Sequence, residues 1–279
     1  MAYFVTGATG FIGRFLVSNL LKRKGQVHVL VRKGSAKKLG QIGEAMGWDM
    51  KRIVPVTGDL SKPKLGLTAT QITALKGKIQ HFFHLAAIYD LTADADSQKL
   101  ANIGGTKNAL ELAAVIKAGC FHHTSSIAAA GLYPGVFRED MFDEAEGLKD
   151  PYLKTKHESE GLVRKQSAVP YRIYRPSMVV GHSKTGEIDK IDGPYYLFTL
   201  IKKIRQTLPQ WMPTLGKSRF TWTSSQSTTC TGSASVSQQK PRDWNWQTLS
   251  TLLARAITMN SSASRKSTVA SSPYGFPTP

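Results

Sequence analysis

Tyr152 and Lys156 stand four residues apart in the run Tyr152-Leu153-Lys154-Thr155-Lys156, so a helix there puts both on one face. A phenol titrates at about 10 and is a poor acid–base at neutral pH. A neighbouring ammonium favours the phenolate and lowers that value. Ser126, which follows an apolar run, can bring a hydroxyl to the same substrate oxygen; Ser125 beside it is the fallback. Taken singly, each has a bland reading: a Tyr and a Lys on a helix surface, a pair of serines in a loop.

A second constellation lies at the start of the chain, in Tyr3-Phe4-Val5-Thr6-Gly7-Ala8-Thr9-Gly10-Phe11-Ile12-Gly13. An apolar strand runs into three glycines spaced three apart, and a helix-like segment, 14–24, follows. Such a turn presents backbone N–H groups and the positive end of a helix dipole to an anion. Its glycines serve a tight turn, close approach of a pyrophosphate, and close helix–strand packing. The next strand, Val27 to Val31, ends at Arg32, 19 residues after Gly13, where no acid competes and Lys33 and Ser35 can assist. An acid at about this position takes a ribose 2′-hydroxyl, whereas an Arg accommodates a 2′-phosphate. The position therefore favours NADP(H) over NAD(H).

These residues need a frame. Short apolar runs at 53–56, 79–85, 120–124 and 169–174 each end in small or polar residues, namely Gly58-Asp59-Leu60, Ala86-Ala87, Ser125-Ser126 and Arg175-Pro176. Helical stretches at 102–118 and 151–166 lie between them. This alternation predicts an α/β fold built on a doubly wound parallel (Rossmann) sheet, with ligands at the carboxyl ends of the strands.

The assembled pieces resemble the extended short-chain dehydrogenase/reductases. The matching residues are Thr6 to Gly13, Asp59-Leu60, His84-Leu85-Ala86-Ala87, Asn102 with Gly105-Thr106, Ser125-Ser126, the Tyr152/Lys156 pair and Arg175-Pro176. The resemblance implies that Tyr152 donates the proton, that Lys156 lowers its pKa and holds the nicotinamide ribose, and that Ser126 binds the substrate oxygen. It implies cofactor contacts at Thr6, Gly7, Thr9, Gly10, Phe11, Ile12 and Gly13. Asp59 and Leu60 would flank the adenine, Ala86 and Ala87 the nicotinamide side, and Pro176 would complete the cofactor site. A narrower likeness runs through 86–91, 137–142, 152–160 and 186–196. These stretches look like the N-terminal reductase module of bacterial fatty acyl-CoA reductases, a group similar to the thioester reductase domains of carboxylic acid reductases. That likeness covers roughly residues 1 to 216 and implies NADPH-dependent reduction of an acyl-CoA or other acyl thioester to aldehyde or alcohol.

The composition changes after Gly216. Residues 217–279 hold 24 Ser and Thr, as many as residues 1–216, with one acid against seven bases. Trp222, Trp244 and Trp246 sit there among polar residues. A Ser/Thr-rich tail is the ordinary reading. A change of reading frame is the sharper one: GC-rich codons for Lys217 to Thr231, read from the third base, spell Val-Pro-Val-His-Leu-Asp-Phe-Val-Ala-Val-Asp-His-Leu, an apolar strand and a helix start. The expected organisation is thus a cofactor-binding domain over 1–176, the start of a small, incomplete substrate lobe over 177–216, and an atypical, frameshifted or disordered tail over 217–279.

The formal net charge of +18 comes from 30 bases and 18 acids in 1–216 and from the basic tail. NADPH and coenzyme A phosphates suffice as anionic partners. No compact basic run with interleaved aromatics points to nucleic acid. Lys202-Lys203-Ile204-Arg205 is the strongest local cluster and reads as a solvated helix face. The two cysteines, Cys120 and Cys230, lack metal-ligand spacing and suggest a reducing compartment, so a cytoplasmic setting is expected. His122-His123 reads as strand packing, and no metal is expected. Neither a signal peptide nor an apolar stretch of about 20 residues is visible. Two other functions stay open: a nucleotide-sugar epimerase or dehydratase, against which 186–196 argues, and a non-catalytic cofactor-binding remnant.

Overall fold

A computed structural model of the chain describes residues 1–87, 96, 99–177, 179 and 203, and the backbone of 227–230. The six parallel strands are β1 (Ala2–Thr6), β2 (Gln26–Val31), β3 (Ile53–Thr57), β4 (Ile79–His84), β5 (Cys120–Thr124) and β6 (Tyr171–Arg175). They lie in the order β3-β2-β1-β4-β5-β6, the doubly wound arrangement. A seventh strand, β7 (Ser227–Cys230), pairs antiparallel with β6, with Arg172 opposite Cys230 and Arg175 opposite Ser227. The composition of 217–279 did not suggest a strand there; the rest of that stretch, its tryptophans included, lies outside the described residues, as do 186–196 and, apart from Lys203, the 202–205 cluster.

The strands read as continuous apolar runs because both sheet faces are covered. Tyr3 and Val5 point to one side, where Leu16, Val17 and Leu20 of α1 (Phe11–Leu21) and Leu39 of α2 (Ala36–Ala45) pack. Phe4, Phe82, Phe121 and Ile173 point to the other, against Ala109, Leu112 and Ala113 of α4 (Gly105–Val115) and Val163 of α5 (Pro151–Gln166). A short α3 (Ala69–Leu75) starts with a capping box between Thr68 and Gln71.

Boundaries differ most from the sequence reading in three places. The first helix begins at Phe11 because Gly10 is its N-cap, and it ends before Lys24 because Gly25 has φ 116° and Arg52 Nη1 takes the Leu21 carbonyl at 2.7 Å. The helix expected over 102–118 is a π-helical turn, Lys99–Gly104, followed by α4, which stops short of Lys117 at φ 53°. The last parallel strand starts at Tyr171 rather than Val169, directly after Pro170. The helix expected at 151–166 has those bounds.

Candidate functional site

The glycine turn is built as its spacing requires. Gly7 has φ 73°, and a Cβ on it would lie 2.7 Å from the backbone nitrogen of Ala86. A Cβ on Gly13 would lie 2.0 Å from the Gly7 carbonyl oxygen, so only glycine lets α1 pack this close to β1. Gly10 is exposed, caps α1 with no side-chain bond, and its N–H donates to Gly7 O at 3.0 Å. The first N–H groups of a helix have no intrahelical partner, and the Gly10 N-cap has no side chain to take one. This cradle fits a pyrophosphate. It sits at the carboxyl ends of β1 and β4, where the strand order reverses and a crevice opens.

The remaining cofactor candidates lie along the same edge of the sheet. Arg32 is exposed directly after β2; Asp59 and Leu60 are half-buried after β3. The Ser61 backbone and hydroxyl both donate to Asp59 Oδ1 and hold its carboxyl below the usual range, helped by the charges of Lys62 and Arg32. Asn108 Nδ2 donates to the Leu60 carbonyl at 2.7 Å, an anchor the sequence reading did not identify. Ala86 is half-buried and Ala87 exposed after β4; Pro176, half-buried after β6, accepts from Ile127 N at 3.1 Å.

Tyr152 is set by the start of α5. Asp150 is the N-cap and accepts from Tyr152 N at 2.8 Å and Leu153 N at 3.2 Å, and Pro151 occupies the first turn. One turn on, the Lys156 ammonium stands 6.0 Å from the centroid of the Tyr152 ring. Lys156 is buried, and burial lowers its pKa to about 8. A cavity of about 610 Å³ opens beside Tyr152, lined by Leu132, Gly147, Lys149, Asp150 and Leu153.

The two serines separate cleanly. Ser125 is buried and its hydroxyl donates to Glu160 Oε2 at 2.7 Å. Ser126 is half-buried, and its oxygen accepts from Ala128 N at 3.2 Å at the start of a 3₁₀ turn, Ile127–Ala130. That turn is bound to α5 by His157, whose Nδ1–H donates to Ala129 O at 2.9 Å while its ring stacks on Phe142 at 4.2 Å. Ser126 therefore sits on a turn clamped to the helix that carries Tyr152 and Lys156.

Glu160 was missed by the sequence reading although the spacing signals it. Tyr152, Lys156, Glu160 and Arg164 form one ladder four residues apart. Burial pushes the Glu160 carboxyl up, but hydrogen bonds and charge from Arg175, the Ser125 hydroxyl and Arg164 outweigh it and leave the pKa below the usual range.

The histidines divide between the sheet faces. His81 Nδ1 and His122 Nε2 are 3.0 Å apart, and His122 Nδ1 meets the Tyr174 hydroxyl at 2.9 Å. Cys120 brings its sulfur within 4.8 Å of both imidazoles. Hydrogen bonds thus engage His81 Nδ1 and both ring nitrogens of His122. His123, on the opposite face, is fully buried among the described residues with neither ring nitrogen bonded, and burial, then the Lys156 charge, lowers its pKa to about 3.

Residues 5–224 match the male sterility protein family of NAD-binding domains. The chain belongs to this family. Its parallel sheet with flanking helices has the extended short-chain dehydrogenase/reductase fold of an NAD(P)-binding domain. Over 207 residues the chain is 33% identical to a linear gramicidin synthase of Brevibacillus parabrevis, covering 68% of this chain and 4% of that protein. It is 29% identical over 210 residues to the aldehyde reductase lnaA of Aspergillus flavus, covering 68% of this chain and 20% of the relative. The terminal R domain from the myxalamid PKS-NRPS biosynthetic pathway superposes with a TM-score of 0.61 at 31% identity, over 68% of this chain and 52% of that one. A UDP-galactose 4-epimerase, with a TM-score of 0.54 at 21% identity over 74% of this chain and 63% of that one, shares the fold. The chain spans a small fraction of these family relatives and about half of the R domain. Among the described residues, no helix is long and apolar enough to cross a membrane.

Proposed function

We propose that the chain is an NADPH-dependent reductase of acyl thioesters, with Tyr152 as proton donor, Lys156 as its partner and Ser126 as the second oxyanion donor. The observation that carries this reading is the buried Lys156 ammonium beside the Tyr152 ring, on a helix clamped to the turn of Ser126. When bound, the nicotinamide supplies a hydride to the thioester carbonyl carbon. The Ser126 hydroxyl and Tyr152 then hold the oxygen as negative charge develops on it, and Tyr152 gives it a proton. The carbon–sulfur bond then breaks as the hydroxyl proton passes to the sulfur, the thiol leaves, and an aldehyde remains; a second reduction would give the alcohol. Lys156 stays charged at neutral pH, holds the ribose and favours the phenolate left behind. The cavity bounded by Leu132 and Leu153 admits the acyl–thioester arm to Tyr152.

The thiol is that of coenzyme A or of a carrier-bound arm. The likeness to a gramicidin synthase and to an R domain favours the carrier-bound thioester, and the motif likeness to acyl-CoA reductases favours the free one. Arg32 beyond β2, with Asp59 turned to Ser61, favours NADPH over NADH. The test is NADPH consumption with an acyl-CoA and with an acyl-pantetheinyl carrier domain, in wild type and Tyr152→Phe. Thioester-dependent turnover that Tyr152→Phe abolishes while NADPH affinity holds is the expected result. Near-normal turnover by Tyr152→Phe removes Tyr152 from the mechanism; NADPH binding without turnover of either thioester leaves a cofactor-binding remnant.

A further inference from the structure

His84 ends β4 with its ring fully buried, and both nitrogens are bonded: Nδ1 to Thr6 Oγ1 at 2.9 Å and Nε2 to Thr106 Oγ1 at 3.2 Å. The partners fix the proton positions. The Thr106 hydroxyl donates to the Asn102 carbonyl at 2.6 Å, a group that only accepts. With that hydrogen committed, Thr106 Oγ1 accepts from His84, so Nε2 carries the proton. Burial keeps the ring neutral, reinforced by the charge of Lys156. Nδ1 is then a lone pair and accepts from the Thr6 hydroxyl, whose oxygen in turn accepts from Ala86 N–H at 3.3 Å.

A second series starts from the side chain of the same Asn102. Asn102 Nδ2 donates to Thr155 Oγ1 at 3.4 Å, and Thr155 donates to the Tyr152 carbonyl at 3.1 Å. Two series of hydrogen bonds that meet at Asn102 thus join the turn after β4 and the end of β1, through His84, to the π-helical turn and then to the first turn of α5.

We propose that His84 is a positioning residue: as the Nε2–H imidazole it locks the Thr6–Ala86 edge of the cofactor crevice to the first turn of the helix bearing Tyr152. Its functional consequence rests on the reductase reading above. A histidine suits this task because one neutral ring donates on one side and accepts on the other across adjacent elements. Reversing the tautomer would set Nδ1–H against the Thr6 hydroxyl and leave Nε2 without a donor, since the Thr106 hydrogen is already used.

The test isolates the chain from catalysis. Nitrogen-15 spectra of the cofactor-free protein at neutral pH should show His84 protonated at Nε2 alone. Thr106→Val keeps the side-chain shape and removes the acceptor. It should redistribute the tautomer and speed exchange of the Ala86 amide proton roughly three- to tenfold, the effect of one lost hydrogen bond. Thr106→Ser should restore both. Fluorescence titration should show NADPH affinity falling by a similar factor in Thr106→Val only. A wild-type ring protonated at Nδ1, or Ala86 exchange unchanged in Thr106→Val, overturns the proposal; so does equal impairment by Val and Ser, which would mark a packing effect. Wild-type protein that shows the tautomer and the exchange response without binding NADPH supports the relay and overturns the cofactor reading instead.

Discussion

Glu160 and Arg175 form a bidentate ion pair sealed from solvent, with Arg175 Nη2 at 2.6 Å from Oε1 and Nε at 3.0 Å from Oε2. Arg175 Nη2 also donates to the Met141 carbonyl at 2.7 Å and Nη1 to the Arg138 carbonyl at 3.2 Å. The pair therefore ties α5, the end of β6 and the 138–142 loop to Ser125 at one buried point.

Removing one partner strands the other. Glu160→Ala should cost about 3–5 kcal/mol in urea unfolding, because a buried guanidinium loses its counter-charge. The pH dependence has a defined sign. The folded pKa of Glu160 lies below its unfolded value of about 4.3, so its stabilisation is complete above that value and is lost as pH falls through the folded pKa. Glu160→Gln should flatten this acid limb of the stability profile; an unchanged limb would mean the carboxylate is not held in the folded state.

The serines should respond differently. Ser126→Ala should lower kcat by about 10²–10³ as a lost oxyanion donor. Ser125→Ala deletes only a bond to Glu160 and should lower Tm while leaving kcat within a few-fold. The reverse ranking in a turnover assay would give the substrate oxygen to Ser125.

Lys156 sets function against stability. Its folded pKa of about 8 lies below the unfolded value of about 10.4, so the unfolded chain binds more protons between those values. Stability should rise with pH across that window and be flat below it. Lys156→Met should remove this rise, raise Tm near neutrality and abolish turnover. A melting curve showing destabilisation by Lys156→Met would contradict the buried charge as a cost.

Arg32→Ala should erase most of the preference for NADPH over NADH, because a charge-assisted pair to a 2′-phosphate contributes roughly 1.5–3 kcal/mol. Equal binding of the two cofactors by the wild type, measured by fluorescence titration, would rule out a 2′-phosphate role for Arg32.

Gly13→Ala should unfold the loop or shift α1 off β1, since its Cβ would overlap the Gly7 carbonyl. Gly10→Ala, whose Cβ would stand 3.3 Å from the same oxygen, should keep the fold and weaken cofactor binding. Circular dichroism with NADPH titration separates the two; identical behaviour would deny the glycines their distinct jobs.

Much of this architecture is local and so was legible in the residues. The glycine turn needs no partner to be recognised, because steric exclusion of Cβ acts within a few residues. Tyr152 and Lys156 share a face through helix period alone, and Asp150-Pro151 marks where that helix starts. The six parallel strands follow from apolar runs that end in small residues. α2 and α3 are short, and Leu39 and Leu75 are the main buried anchors they offer.

The tertiary structure decided what depends on segments far apart in sequence. Ser125 and Glu160 are 35 residues apart, and only the seating of α5 on β5 and β6 shows that one serine is bonded to Glu160 while its neighbour lies on a turn that His157 ties to α5. The proton on His84 depends on Thr6 and Thr106, 78 residues before it and 22 after. Residue type states which groups can donate or accept, but a hydrogen bond acquires its partner and direction only when close packing brings strands and helices to about 3 Å.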